Sequence, residues 1–101
     1  MKITVGIPAY NEEKNIAKII VKLKKTVDQI IVCDDGSTDS TSAIAESLGA
    51  TVIKHAKNLG YGMAIKSIFL KSREINADIL VTLDADGQHK IEDINKIIKP
   101  V

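Results

Sequence analysis

The segment KITVGIPAYNEEKNIAKIIVKLKKTVDQIIVC, residues 2–33, holds a strand pattern, a helix pattern and a second strand pattern in succession. Its two ends, at 2–7 and 29–33, are short apolar runs rich in β-branched residues, which are typical of buried strands. Between them four apolar side chains recur at the spacing of one helix face: Ile16, Ile19, Ile20 and Leu23. A strand, a helix and a strand in this order predict a unit whose two strands pair in parallel.

The same alternation continues along the rest of the chain. Further strand patterns lie at 51–54 and 78–83. One helix pattern begins within residues 37–39 and ends at Gly49, and another follows residues 60–62. We therefore predict an α/β fold class, a Rossmann-like three-layer sandwich in which a parallel sheet of four strands alternates with helices.

Two helix boundaries are predicted from single residues. Asn11 is a suitable N-terminal cap for the first helix, with Glu12 and Glu13 in its first turn.

A last helix is expected to begin near Lys90 and to end before Pro100. Its apolar face would carry Ile91, Ile94 and Ile98.

Length and composition restrict the class of protein. The chain has 101 residues, 45% of them hydrophobic, which predicts one domain with a real core. Its net charge of +1 gives no basic surface for nucleic acid or an anionic membrane. Cys33 is the sole cysteine, so an intrachain disulfide is excluded, and its apolar neighbours predict a buried, reduced thiol. We expect a cytoplasmic protein with no signal peptide and no membrane-spanning segment of its own.

Two acidic residues stand one residue apart where the fourth strand pattern ends. Asp84 and Asp86 would repel each other by roughly 4 kcal/mol at about 4 Å and an effective dielectric of about 20. A hard divalent cation, Mg²⁺ or Mn²⁺, would neutralise such a pair, because these ions prefer carboxylate, amide and water oxygens. The alternative is a solvated turn whose two acids cap the next helix.

The other strand ends also carry polar or aromatic residues. Asp34 and Asp35 follow the second strand, where one carboxylate could accept a hydrogen bond from a base or ribose, or both could serve the turn and helix cap. Tyr10 offers an aromatic face to a nucleobase, although tyrosine is more commonly a packing residue. His55 and His89 lack the spacing of a zinc site, and we assign them to a strand end and a loop.

Four motifs together closely resemble the family 2 glycosyltransferases of the GT-A fold, in particular the dolichyl-phosphate mannose and glucose synthases. They are IPAYNEE at 7–13, VCDDGSTD at 32–39, NLG at 58–60 and LDADGQH at 83–89. The resemblance implies that the substrate is a nucleoside-diphosphate sugar, either a UDP-sugar or a GDP-sugar. It also implies a set of binding residues for that donor: Pro8, Ala9, Tyr10, Glu12, Asp35, Gly60, Asp84 and Asp86.

The resemblance also implies a cofactor and a reaction. Asp84 and Asp86 match the family's DXD motif, and Gln88 matches a further ligand, so these three residues would hold Mg²⁺ or Mn²⁺. The reaction would be inverting sugar transfer to an acceptor such as a polyprenyl phosphate, which would bring a full-length form to the cytoplasmic face of a membrane.

The resemblance covers only the donor-binding half of the family's domain. Residues 1–101 would bind the donor, whereas the acceptor-binding half and the general base would lie outside, so no catalytic residue is assigned and this chain alone is expected to be inactive. Further family strands would add beside the fourth strand. We therefore expect an exposed sheet edge near Ile79 to Leu83, and self-association through it.

Two other functions are compatible with parts of the sequence. One is a non-catalytic module that binds nucleotide or oligomerises. The other is a receiver-like phosphoacceptor domain, which needs an acidic pair after the first strand, where this chain has Pro8, Ala9 and Tyr10.

Overall fold

The computed structural model describes residues 2–85 and 98–100. Strands and helices alternate along most of this length. In chain order they are β1 (Ile3–Ala9), α1 (Ile16–Leu23), β2 (Gln29–Asp34), α2 (Thr41–Ser47), β3 (Thr51–Lys54), α3 (Tyr61–Glu74), β4 (Ile79–Thr82) and β5 (Ile98–Pro100).

The strands form one sheet in the order β3-β2-β1-β4-β5. β1 lies between β2 and β4, and the first four strands all run parallel, as predicted. Strand β1 is buried over most of its length because neighbours flank it on both edges and helices cover both faces. In such a sheet the carboxyl ends of the parallel strands meet along one edge, where ligands bind in open α/β folds.

The two faces of the sheet pack against different helices. Along β2, Ile30 and Val32 belong to one core with α1 and α2, whereas Ile31 and Cys33 belong to a second core with α3. This alternation follows the period of two residues in a strand. The result is the predicted three-layer sandwich, and Cys33 is fully buried in it, as predicted.

Helix α3 approaches the sheet most closely at Gly6. A Cβ atom at this position would lie 2.2 Å from Cγ2 of Ile68, which is a fully buried side chain of α3. No side chain larger than hydrogen fits between them, so Gly6 sets the distance between α3 and β1.

The prediction for the chain's end was wrong at Ile98. Ile98, Lys99 and Pro100 form β5, which pairs antiparallel with β4. Without β5, the backbone groups along the edge of β4 would be unpaired. The hydrogen bonds that β5 forms with this edge outweigh the helical preference indicated by the spacing of the isoleucines. The predicted helix start at Lys90, with Ile91 and Ile94, lies outside the described residues.

Strand β5 covers most of the edge that we predicted to be exposed near Ile79 to Leu83. Ile79, Leu80 and Val81 are opposite Pro100, Lys99 and Ile98 in the sheet. The prediction of an exposed edge is therefore wrong over these three residues, and self-association stays a prediction. Pro100 fits this position because an edge strand tolerates a residue without a backbone N–H.

Asn11 does not cap α1, contrary to the prediction. Helix α1 begins at Ile16, and the residue before it, Asn15, makes no capping hydrogen bond with its side chain. Asn11 instead has a φ of 52° and bonds to the loop after β2. Helix α2 likewise begins at Thr41, later than predicted, whereas Gly49 has the left-handed φ of 91° expected after a helix.

None of the helices in the described part of the chain is both long and apolar enough to cross a membrane.

Candidate nucleotide-sugar site

A cavity of about 410 Å³ lies at the carboxyl ends of the parallel strands. Its volume is within the range of small-molecule sites, about 300–1,000 Å³. Every predicted donor-binding residue that the structure describes lines it: Pro8, Ala9, Tyr10, Glu12, Asp35, Gly60 and Asp84. The structure brings these residues together, and their individual roles remain predictions. Sequence reasoning did not assign four further lining residues: Asn58, Tyr61, Ala64 and Ala85.

The loop after β1 is fixed by hydrogen bonds to the loop after β2. The backbone N–H of Asn11 donates to Oγ of Ser37 at 2.8 Å, and the N–H of Thr38 donates to Oδ1 of Asn11 at 2.9 Å. One residue further, the N–H of Glu12 donates to Oγ1 of Thr41 at 2.9 Å. These bonds hold Tyr10, which is 48% exposed, at the cavity wall.

The two acids after β2 have different environments. Asp34 is buried, and its Oδ1 accepts the N–H of Ser37 at 2.9 Å, which is a turn-forming contact. Its Oδ2 is buried and has no hydrogen-bond partner among the described residues. Asp35 lines the cavity and Asp34 does not, so the structure favours Asp35 for ligand contact.

Asp35 accepts three hydrogen bonds from the protein. Leu59 N–H donates to Oδ1 and Gly60 N–H donates to Oδ2, each at 2.9 Å, and Nδ1 of His55 lies 2.7 Å from Oδ1. Burial alone would raise the pKa of Asp35, but these bonds outweigh it and hold the pKa below its ordinary value of 3.8. Asp35 is therefore an ionised carboxylate at neutral pH, and its position is fixed by the chain that leads into α3.

Gly36 allows this arrangement. It has a φ of 81°, and a Cβ atom here would lie 2.4 Å from the backbone carbon of Lys57. The loop after β2 therefore rests directly on the backbone of the loop before α3.

His55 lies behind the cavity wall and is a further residue that sequence reasoning did not connect with the site. It was assigned only to a strand end, but it contacts Asp35 through Nδ1 and the hydroxyl of Ser67 through Nε2. Its Nε2 also lies 3.6 Å from Sγ of Cys33. Burial, with the charges of Asp35 and Asp34, raises the pKa of Cys33 to about 11, so this thiol is protonated and not a nucleophile at neutral pH.

Asp84 is the only predicted metal ligand within the described residues, because Asp86 and Gln88 lie outside them. It is half-buried at the cavity, and the hydroxyl of Tyr61 donates a hydrogen bond to it. Partial desolvation and the charge of Asp84 raise the pKa of Tyr61, so the hydroxyl keeps its proton. Within the described part of the chain, no three His, Cys, Asp or Glu side chains form a group able to hold a metal ion.

The chemistry of the cavity wall nevertheless suits a hard cation at Asp84. Glu12 and Asp84 both bring carboxylates to the cavity, and none of its described lining residues is a lysine or arginine. Carboxylate oxygens are the ligands that Mg²⁺ and Mn²⁺ prefer, and a bound cation would offset the concentration of negative charge.

Comparison with known proteins identifies the family. The sequence model described as glycosyl transferase family 2 matches residues 4–101. The chain belongs to this family. Its four parallel strands and covering helices are the α/β arrangement of the GT-A glycosyltransferases, which confirms the predicted family and fold class. The receiver-like alternative is set aside.

Two relatives in this family carry names of lipid-linked sugar transferases. The chain is 41% identical to the UDP-N-acetylglucosamine–dolichyl-phosphate N-acetylglucosaminyltransferase of Methanococcus voltae, covering 94% of this chain and 45% of that protein. It is 33% identical to the dolichol-phosphate mannosyltransferase of Pyrococcus furiosus, covering 100% of this chain and 30% of that protein. The chain thus spans less than half the length of either relative.

A solved structure shows a similar fold with ligands. Glucosyl-3-phosphoglycerate synthase from Mycobacterium tuberculosis, in complex with Mn²⁺, UDP and glucosyl-3-phosphoglycerate, matches with a TM-score of 0.69 and 32% identity. The match covers 84% of this chain and 33% of that chain. Both kinds of comparison therefore relate this chain to one part of longer glycosyltransferases.

Proposed function

We propose that this chain is the donor-binding part of a metal-dependent, inverting glycosyltransferase and that its cavity binds a nucleoside-diphosphate sugar. The observation that carries the proposal is the convergence of four strand-end loops on one cavity, with Asp35 and Asp84 both lining it. The complex of the mycobacterial synthase with Mn²⁺ and UDP supports this choice of ligand.

Different residues would bind different parts of the donor. The ionised Asp35 can accept a hydrogen bond from a base N–H, and Tyr10 can pack against the face of that base. Asp84, with Asp86 and Gln88, would hold Mg²⁺ or Mn²⁺ beside the diphosphate. When bound, such an ion supplies Lewis-acid stabilisation of the departing nucleoside diphosphate.

The acceptor and the general base belong to the part of the proposal that concerns the whole protein. The names of the Methanococcus and Pyrococcus relatives support a polyprenyl phosphate as acceptor, which would place the full-length protein at the cytoplasmic face of a membrane. No residue of the cavity is assigned as the general base. We therefore expect this chain to bind donor without completing sugar transfer.

Calorimetric titration of the chain with UDP, GDP and their sugar derivatives tests the proposal. We expect binding with Mn²⁺ and at least tenfold weaker binding after chelation, because the ion would bridge Asp84 and the diphosphate. Asp84→Asn should remove most of this metal dependence. Glu46→Gln removes one charge from an exposed position on α2 and is the matched control.

Two results would overturn the proposal. One is the absence of nucleotide binding by the wild-type chain. The other is binding that is insensitive both to chelation and to Asp84→Asn.

A further inference from the structure

His55 is enclosed between the second and third strand-end loops. Its backbone N–H donates to the carbonyl of Asp34 at 2.9 Å, and its side chain is only 10% exposed. The ring reaches Oδ1 of Asp35 through Nδ1 at 2.7 Å and Oγ of Ser67 through Nε2 at 2.9 Å. Both ring nitrogens are therefore engaged by the protein.

The contact with Asp35 determines the tautomer of the ring. An ionised carboxylate can only accept hydrogen bonds, so Nδ1 of His55 must carry the proton that it donates to Oδ1. In the neutral ring, Nε2 then accepts the hydroxyl proton of Ser67. The ring orientation is fixed at both ends, and with it the position of Oδ1.

The hydrogen bonds to Asp35 leave little acceptor capacity for a ligand. A carboxylate has about four lone-pair positions, two on each oxygen. His55 and Leu59 occupy both positions on Oδ1, and Gly60 occupies one on Oδ2. Among the described residues this leaves one acceptor position, on Oδ2, in a residue that lines the cavity.

We propose that His55 is a positioning residue that restricts Asp35 to this single acceptor and thereby selects uracil over guanine. Uracil offers one ring N–H between two carbonyl groups, which matches one acceptor. Guanine offers its ring N1–H beside an amino group, and this adjacent pair of donors is best matched by both oxygens of one carboxylate. With Oδ1 already occupied, Asp35 would pair only one of the two guanine donors, and the lost hydrogen bond should weaken GDP binding by about tenfold.

This inference rests on the proposed function, because it specifies the base of the nucleotide. It differs from the general expectation that Asp35 contacts a base. It assigns the specificity to the ring of His55, which holds Oδ1 away from the ligand.

The first test needs no nucleotide. Long-range ¹H–¹⁵N spectra of the His55 ring report which nitrogen is protonated, and we expect the Nδ1–H tautomer wherever the ring is neutral. The amide protons of Leu59 and Gly60 should shift strongly in His55→Leu. They should shift less in His55→Asn, whose side-chain amide nitrogen can replace Nδ1 as a donor. A ring protonated at Nε2 instead of Nδ1 would overturn the positioning role.

The second test measures the ratio of UDP to GDP dissociation constants with Mn²⁺. The wild-type chain should bind UDP about tenfold more tightly than GDP. His55→Leu should reduce this preference severalfold, because Oδ1 becomes available to the second guanine donor, and His55→Asn should recover most of it. Glu46→Gln should leave the ratio unchanged.

The outcomes separate this inference from the proposed function. If the wild-type chain binds neither nucleotide, the proposed function fails, and the ring spectra still test the positioning role. Equal affinity for UDP and GDP in the wild-type chain would overturn the specificity. So would a loss of both affinities in His55→Leu with an unchanged ratio, which is the signature of a merely structural residue. Should His55→Leu fail to fold, the ring spectra and the UDP-to-GDP ratio of the wild-type chain still test the positioning role and the specificity.

Discussion

Asp35 and Asp84 line the same cavity, but the protein holds them in different ways. Asp35 is 5% exposed and accepts hydrogen bonds from His55, Leu59 and Gly60. Asp84 is half-buried and accepts a hydrogen bond from Tyr61, a residue that is itself 62% exposed. The cavity therefore has a side whose carboxylate is held by three protein donors and a side whose carboxylate accepts a hydrogen bond from an exposed residue. This difference suits a fixed recognition group on one side and a cation site on the other.

The largest expected effect comes from Gly36→Ala, which should disrupt the side that holds Asp35. The new Cβ atom would meet the backbone of Lys57 and Asn58 and would also force a left-handed φ on alanine. We expect the free energy of unfolding to fall by about 3 kcal/mol, measured by urea denaturation.

Gly49→Ala is the matched control for this change. Gly49 also has a left-handed φ, of 91°, but a Cβ built there would meet only Nζ of Lys24, at 3.7 Å. We expect its free energy of unfolding to fall by only about 1 kcal/mol, from the backbone conformation alone. Equal losses in the two variants would show that close packing of the loops does not hold Asp35.

A smaller effect should separate the two acids directly. Asp35→Ala would leave the N–H groups of Leu59 and Gly60 without their acceptor, and we expect it to lower the free energy of unfolding by about 2 kcal/mol. Asp84→Ala should instead act mainly on the metal dependence of nucleotide binding. Thermal unfolding measures the stability of each variant, and calorimetric titration measures the metal dependence of nucleotide binding. If both variants lost the same stability, the contrast between the two sides would be wrong.

Acid should destabilise the side of the cavity that holds Asp35. The pKa of Asp35 lies below its ordinary value in the folded chain, so the unfolded chain takes up this proton at higher pH than the folded chain. The stability that Asp35 contributes is therefore complete above its ordinary pKa of 3.8 and is lost as the pH falls through and below that value.

Urea denaturation between pH 2.5 and 7 measures this dependence. Asp35→Asn should flatten the acid limb of the stability curve. The pKa of Asp39 is also lowered, because hydrogen bonds from Thr41 and Glu13 outweigh the effect of burial. Asp39→Asn should therefore also flatten the acid limb, but without affecting the cavity. An unchanged acid limb in Asp35→Asn would contradict the low pKa.

The arrangement of the cavity was predictable because it depends on topology. Parallel strands bring their carboxyl ends to one edge, so Tyr10, Asp35 and Asp84 had to meet once the strands were recognised. The hydrogen bond between His55 and Asp35 depends instead on register and side-chain conformation. β2 and β3 pair so that Asp34 lies opposite Lys54, which places the next residues, Asp35 and His55, side by side. A register assignment could have revealed this contact, but residue periodicity could not.

Local patterns failed where a distant partner determined the conformation. Asn11 has the residue type of a helix cap, but Ser37 and Thr38 offered it partners across the loop. Ile98 has helical spacing, but the edge of β4 offered its backbone a pairing partner. In both cases a hydrogen-bonding surface formed elsewhere in the fold outweighed a local preference.

The smallest expected effect concerns Tyr61 and tests how much its hydroxyl contributes to holding Asp84. Tyr61→Phe removes the hydroxyl that donates to Asp84, and because Tyr61 is exposed, water can replace this donor. We expect the free energy of unfolding to fall by less than about 0.5 kcal/mol, measured by urea denaturation. Tyr10→Phe, at another exposed tyrosine of the cavity, is the control. A loss near 2 kcal/mol in Tyr61→Phe alone would mean that Asp84 is fixed as firmly as Asp35. The cavity would then be organised on both sides before any ligand binds, and a cation would have to displace a strong hydrogen bond to reach Asp84.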